Sequence, residues 1–236
     1  MKFAISMTCY KRAEYLKQVL DSIKKSIEYC KVSVPLYISI DYYDNTIVDY
    51  ISSIDWTEVN YRINRPSVGC NLNTLLAMEY VCSNDINAFL HLEDDTVLAK
   101  DAISYYLQTL KIYETYPTVL SVAGYNKNTV LPHISDLDMV MTHKSFSAWG
   151  CAFWKSKIQT VFDNWIPVFN RNNGGMSWDS YLNEYLYKKL DYYEIKPIVS
   201  RIQNIGAEQG TWVPNASWHY ENHRTPYTSE DLLTDK

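Results

Sequence analysis

The sequence predicts an α/β protein built on a mostly parallel sheet. Three observations lead there. Short apolar runs of strand length alternate with amphipathic helical segments, the runs carry the apolar character of buried strands, and polar residues gather where the runs end. Alternation of this kind needs crossover connections, which bring successive strands into the sheet pointing the same way.

Residues 3–7 read as the first strand. Residues 12–28 follow with Leu16, Val19, Leu20, Ile23 and Ile27 at helical spacing, a stripe that packs on a sheet. Residues 36–40 form the second strand and end at Asp41, and residues 59–63 form the third, followed by the turn-like Asn64-Arg65-Pro66-Ser67-Val68-Gly69. A helix over 71–81 turns Leu72, Leu75 and Leu76 inward, and residues 88–92 make the fourth strand. A further helix starts near Lys100. Beyond it lie a strand at 120–125, an aromatic segment at 145–154 interrupted by Gly150, a glycine-containing loop at 170–175, and a helix over 177–189. That last helix is expected to face Trp178, Tyr181, Leu182, Tyr185 and Leu186 to a core. No repeat, linker or low-complexity stretch divides residues 1–236, so the chain reads as a single domain.

The fourth strand runs directly into Glu93-Asp94-Asp95. Adjacent ionised carboxylates are costly unless a positive charge sits between them. A solvated turn, or the amino-terminal capping of the next helix, are the plain alternatives; three acids directly after a buried strand fit neither well. The carboxyl end of a parallel strand is where open α/β sheets place ligands. A hard divalent cation, Mn²⁺ or Mg²⁺, carrying a phosphorylated substrate accounts for the triplet. The parallel arrangement would bring Thr8 to Arg12, Asp41, the 64–69 turn and the triplet to one sheet edge.

Composition narrows the class. Hydrophobic residues make up 47% and charged residues 21%, which is ordinary for a folded domain. A formal net charge of -5 without a Lys/Arg block excludes a general nucleic-acid binder. The five cysteines are scattered and lack C-x-x-C spacing, the pattern of free thiols in a reducing compartment. Neither a signal-type segment nor a membrane-spanning apolar run is present, so the expected location is the cytoplasm.

With these residues in view, the chain resembles GT-A glycosyltransferases, with their Rossmann-like three-layer sandwich. Glu93-Asp94-Asp95 resembles the D-x-D signature in the E-D-D form of the N-acetylglucosaminyltransferase I family, and Ser6-Met7-Thr8-Cys9-Tyr10-Lys11-Arg12 resembles that fold's first-strand loop. The resemblance implies a nucleotide-binding half at 1–100, with Thr8, Cys9, Tyr10, Arg12, Asp41, Arg65 and Asp94 at the nucleotide. It implies Asp95 at the metal, and an acceptor-binding half at 101–236. Ser177-Trp178-Asp179 resembles the segment of the same family whose aspartate is the catalytic base, so Asp179 takes that role by resemblance; as a first-turn acid after Ser177 it would also stabilise a helix.

Residues 196–206, ending Asn204-Ile205-Gly206, resemble a further run of that family and the S-x-x-x-N-I-G-x-x-G-x-H run of bacterial sugar transferases. Gly210 matches the second glycine, but Trp212 stands where the histidine belongs, which leaves His219 or His223 as its substitute at the metal. Glu93, Trp149, Gly150 and Trp178 fall at the sugar and acceptor positions.

The resemblance therefore implies a metal-dependent, inverting hexosyl- or N-acetylhexosaminyltransferase. It would use a nucleotide-sugar donor, UDP by analogy, and a glycan or other hydroxyl acceptor. A metal-dependent nucleotidyltransferase is the first alternative, although the glycine- and lysine-rich loop common there is missing. A non-catalytic glycan-binding relative is the second.

Overall fold

Strand β1 (Phe3–Cys9) is buried almost throughout, as a strand with helices on both faces must be. The structure, a computed structural model, describes residues 1–163, 177–208 and 213–233. The 170–175 loop, Gly210 and Trp212 lie outside the described residues. The remaining strands are β2 (Leu36–Ile40), β3 (Val59–Ile63), β4 (Ala88–Glu93), β5 (Thr96–Leu98), β6 (Val119–Ala123), β7 (Val140–His143), β8 (Cys151–Trp154), β9 (Tyr193–Pro197) and β10 (Ile202–Asn204).

Eight strands form one sheet in the order β3-β2-β1-β4-β8-β6-β9-β7, and β5 pairs with β10 in a separate ribbon. β1 pairs in parallel with β2 and β4, and β2 with β3. β8 enters antiparallel between β4 and β6, and β7 closes the far edge antiparallel to β9. The expected α/β fold with a mostly parallel central sheet is therefore present.

Helices cover both faces. Helices α1 (Ala13–Cys30), α2 (Asn45–Ser52) and α4 (Ala102–Tyr113) pack on one cluster of buried side chains, which includes Ile5, Met7, Leu90 and Leu92. Helices α3 (Cys70–Cys82), α5 (Ile158–Asp163) and α6 (Trp178–Leu182) pack on the other, with Ala4, Phe89 and Phe153. Odd and even residues of β1 and β4 thus feed different layers, the period of a strand. In α1, Leu16, Val19, Leu20 and Ile23 are fully buried. Each contributes roughly 1.5–3 kcal/mol, which outweighs the roughly 1 kcal/mol lost because Arg12 at the N-cap makes no side-chain capping bond.

In α3 the expected Leu72, Leu75 and Leu76 are only half-buried, and Asn73, Thr74, Ala77, Met78 and Val81 face inward instead; two further helices also differ from the sequence reading. Helix α2 was not read from the sequence; its start is capped by Asp44, whose carboxylate accepts from Ile47 N at 3.3 Å. The helix expected over 177–189 is α-helical only to Leu182 and continues as a π-helix over Asn183–Lys189. The wider π turn bonds residues five apart, as in Leu190 N to Tyr185 O at 3.2 Å. Counting five from Tyr181 and Leu182 reaches Leu186 and Tyr187, which are buried, while Tyr185 is left exposed.

Candidate active site

A cavity of about 630 Å³ opens at the carboxyl ends of β1, β2 and β4. Its walls bring together the Thr8 to Arg12 loop, Asp41, Ser67 and Gly69, the Glu93-Asp94-Asp95 triplet, residues 146–149, Trp178 and Asp179. The parallel register explains the first half of this set, since Thr8 lies beside Glu93 across β1 and β4. The second half arrives differently. Because β8 runs antiparallel to β4, with Cys151 beside His91, the residues before it emerge at the same edge as the triplet. Asp179 is delivered by a tether between helices, Trp178 N donating to Asn71 Oδ1 at 2.9 Å.

The turn between β4 and β5 is held from both sides. The guanidinium of Arg12 donates to Asp95 Oδ2 at 2.6 Å and, through its other terminal nitrogen, to Asp94 Oδ1. Tyr10 N donates to Asp94 Oδ2 at 2.9 Å, and Asn204 Nδ2 donates to Asp95 Oδ1 at 3.3 Å. The β5–β10 ribbon sets the last contact, pairing Thr96 with Asn204, and Ile205 N adds a bond to Asp95 O at 2.8 Å. Gly206 packs on the carboxylate so tightly that a Cβ there would sit 2.2 Å from Asp95 Oδ2.

Burial pushes the Glu93 carboxyl well above its usual range, and the charges of Asp95 and Asp179 push it further. Asp94 is also raised by burial, with Arg12 opposing. One guanidinium therefore serves a site with a surplus of negative charge, which is the donor chemistry that a hard divalent cation fits. Among the described residues no three His, Cys, Asp or Glu side chains gather as a ready-made metal cage. Two adjacent carboxylates suit instead a cation of the Mg²⁺ or Mn²⁺ type that takes its other ligands from phosphates and water.

Asp41 is buried and fully engaged by its own chain. Oδ1 accepts from Asn64 Nδ2 at 3.0 Å and Val68 N at 2.8 Å; Oδ2 accepts from Ser67 Oγ at 2.7 Å and Gly69 N at 2.8 Å. Four donors fill its acceptor sites and fold the 64–69 turn against the cavity. Thr8, Cys9 and Tyr10 line the cavity, with the Cys9 thiol pushed well up by burial and by Asp94. The Tyr10 ring meets Tyr42 edge-on at 6.3 Å.

Other expected residues are placed differently. Arg65 is not on the cavity wall; its guanidinium lies 4.6 Å from the centre of the Tyr43 ring. Trp149 lines the cavity but Gly150 does not. Glycine is needed at 150 because φ is +63° and a Cβ would meet Ile202 and the Tyr106 hydroxyl at 2.7 Å. His223 rather than His219 borders the cavity. The buried His219 lies behind it with Nε2 3.2 Å from Asn204 O, and Nδ1 has no hydrogen-bond partner among the described residues.

The sequence marks the 64–69 turn and Asn204-Ile205-Gly206 but not Asn73, whose Oδ1 accepts from Ser39 Oγ at 2.7 Å and Asn64 Nδ2 at 2.8 Å. A signal was there: polar side chains directly after strands or inside a helix face that is otherwise apolar mark networks rather than solvent contacts.

The fold is shared with nucleotide-sugar-binding proteins of known structure. S. aureus TarS 1-349 is similar with a TM-score of 0.60 at 12% identity, over 86% of this chain and 60% of that one. The same protein in complex with UDP-GlcNAc gives 0.55 at 14% identity, over 83% of this chain and 58% of that one. The mannosyltransferase PcManGT from Pyrobaculum calidifontis, in complex with GDP-Man and Mn²⁺, gives 0.55 at 13%, over 83% and 54%. The chain thus spans 60% or less of the length of these structures. No family model and no curated protein matches the sequence. No helix among the described residues is long and apolar enough to cross a membrane, and all five cysteines are free.

Proposed function

We propose that this protein is a metal-dependent glycosyltransferase that takes its sugar from a nucleotide-sugar donor. The observation that carries the reading is that Asp179 and the Glu93-Asp94-Asp95 triplet, more than eighty residues apart in sequence, line one cavity. The shared fold supports it, since neighbours were solved with UDP-GlcNAc and with GDP-Man and Mn²⁺.

In this reading the Thr8 to Arg12 loop and the turn organised by Asp41 receive the nucleoside. Asp95, with Asp94, holds a divalent cation, with His223 or His219 as the candidate imidazole. Bound there, the cation would stabilise negative charge on the departing diphosphate. Glu93, Trp149 and Trp178 border the sugar and acceptor, aromatic faces suiting the apolar side of a sugar ring. Asp179 takes the proton of the acceptor hydroxyl as its oxygen bonds to the anomeric carbon and the bond to the diphosphate breaks. One displacement of this kind inverts the anomeric configuration. Transfer of a hexosyl or N-acetylhexosaminyl group from UDP, and the kinship with N-acetylglucosaminyltransferase I, rest on the sequence motifs. So does the division into a nucleotide half at 1–100 and an acceptor half at 101–236. The free cysteines favour a reducing compartment, and with it the cytoplasm.

The test is a screen of UDP-, GDP- and dTDP-sugars for nucleoside diphosphate release, with Mn²⁺ and with chelator. Wild type is compared with Asp95→Ala and Asp179→Asn. Expected are metal-dependent turnover, loss in Asp95→Ala, and retained donor binding without transfer in Asp179→Asn. Undiminished transfer by Asp179→Asn overturns the base. Release of sugar 1-phosphate in place of nucleoside diphosphate would indicate nucleotidyl transfer, and glycan binding without nucleotide binding a non-catalytic module.

A further inference from the structure

We propose that Arg12 is a resident counter-ion that keeps free divalent cation off Asp94 and Asp95 until a nucleoside diphosphate draws its guanidinium away. This rests on the donor reading above and adds a regulation of that site: cation binding becomes conditional on nucleotide.

The geometry points to this in three ways. First, one guanidinium bridges both carboxylates, and with Tyr10 N and Asn204 Nδ2 it leaves each of their four oxygens with a partner. A dication arriving at Asp95 would meet a fixed positive charge at contact distance, in a largely buried site where screening is weak. Second, the local backbone is spent on this contact. Lys11 holds φ +58°, a conformation disfavoured for a side-chain-bearing residue, and the turn it makes aims Tyr10 N and Arg12 at the same Asp94 carboxylate. Arg12 also occupies the N-cap of α1, where the helix dipole disfavours a cation and an oxygen-bearing side chain would serve stability better. Third, Arg12 borders the cavity, so its guanidinium can turn toward a ligand there without crossing the core.

A diphosphate changes the balance. Its oxygens match the guanidinium fork as well as a carboxylate does, and they supply the cation with ligands that two carboxylates alone do not. Release of Arg12 and entry of the cation then become one event. The coupling is reciprocal: nucleotide tightens cation and cation tightens nucleotide by the same factor.

The experiment measures Mn²⁺ binding to the full chain by loss of the free-ion EPR signal, without nucleotide and with UDP or GDP. Wild type is expected to bind Mn²⁺ weakly alone and about 10- to 100-fold more tightly with the nucleotide it accepts. Arg12→Gln is expected to bind Mn²⁺ alone more tightly than wild type by a similar factor, with little further gain from nucleotide. Arg12→Lys keeps the charge but loses the two-pronged bridge, so its nucleotide-free affinity should fall between those of wild type and Arg12→Gln. Asp95→Asn should remove the binding in every background, which assigns the signal to this carboxylate. Nucleotide-free affinity in folded Arg12→Gln equal to or below wild type overturns the proposal. Should that variant not fold, the wild-type Arg12 Nε–H resonance decides: it moves when metal-free nucleotide is added, and an unmoved resonance overturns the release. If no nucleotide binds while Arg12→Gln still gains Mn²⁺, the donor reading fails and the exclusion of cation by Arg12 stands.

Discussion

Gly206 and Asp95 touch in a way that only glycine permits, because a Cβ at 206 would stand 2.2 Å from Asp95 Oδ2 and 3.0 Å from Asp95 Cγ. The carboxylate has little freedom to retreat, held as it is by Arg12 and Asn204. Gly206→Ala is therefore expected to displace Asp95 while the sheet stays folded. A shift of about 1 Å in a site group can cost 10²-fold in activity. Calorimetric titration of Mn²⁺ and UDP into the variant checks this; unchanged affinity would show that Asp95 is not at the ligand.

Gly69 offers the contrasting case. Its φ is +85°, yet among the described residues a methyl group added to its Cα would meet no atom beyond its chain neighbours within 4 Å. Gly69→Ala should cost backbone strain alone, about 1–3 kcal/mol. Urea unfolding measures it, and a midpoint equal to wild type would mean that the turn relaxes freely.

Asp41→Ala should behave as the loss of a structural knot. It removes the acceptor of Asn64 Nδ2, Ser67 Oγ, Val68 N and Gly69 N together. An orphaned buried donor costs about 1–3 kcal/mol, so the variant should lose at least that much in denaturant unfolding. Asp41→Asn keeps the shape but turns an amide donor toward other donors, and its stability should fall between wild type and Asp41→Ala.

Glu194 carries a pH dependence. Burial pushes its carboxyl up to about 8, against the pull of Lys196 and of hydrogen bonds from Ser121 and Ser147. Below its unfolded value near 4.5 both states hold the proton. Between there and about 8 only the native state does, so the group's contribution to stability falls as pH rises through that window. The slope is at most about 1.4 kcal/mol per pH unit. Glu194→Gln should flatten this slope in a urea unfolding series spanning about pH 5 to 8.5, and an unchanged slope would assign it elsewhere.

The parallel half of the fold was legible because its signals are local. Five consecutive buried residues at 36–40 and a leucine-isoleucine stripe in α1 announce themselves without partners. β5, β7 and β10 are three or four residues long and exist only through what they pair with, which no local pattern encodes. The triplet, Arg12, Trp178 and Asp179 were read to the cavity they line. The sequence assigns Gly150 and His219 to the same site, but neither lines the cavity. Their chemistry suggested a ligand, but whether glycine faces a sugar or a tyrosine hydroxyl, and which of two histidines faces inward, depends on packing between distant segments. Tyr185 differs for another reason: an α period continued past Leu182 predicts it inward, but the helix widens there and leaves it exposed.

The reversed strand β8 has a consequence for how such a protein can diversify. Parallel strands deliver to the cavity the residues that follow them, committed to the approach to a helix after β1 and β2 and to the tight turn into β5 after β4. β8 delivers the residues that precede it, from a segment with no helix to begin. The wall carrying Phe146 to Trp149 can therefore change in length and sequence while the wall built by the parallel strands keeps its frame. Under the proposed function, acceptor preference and donor recognition would then be separable traits, free to be exchanged one at a time.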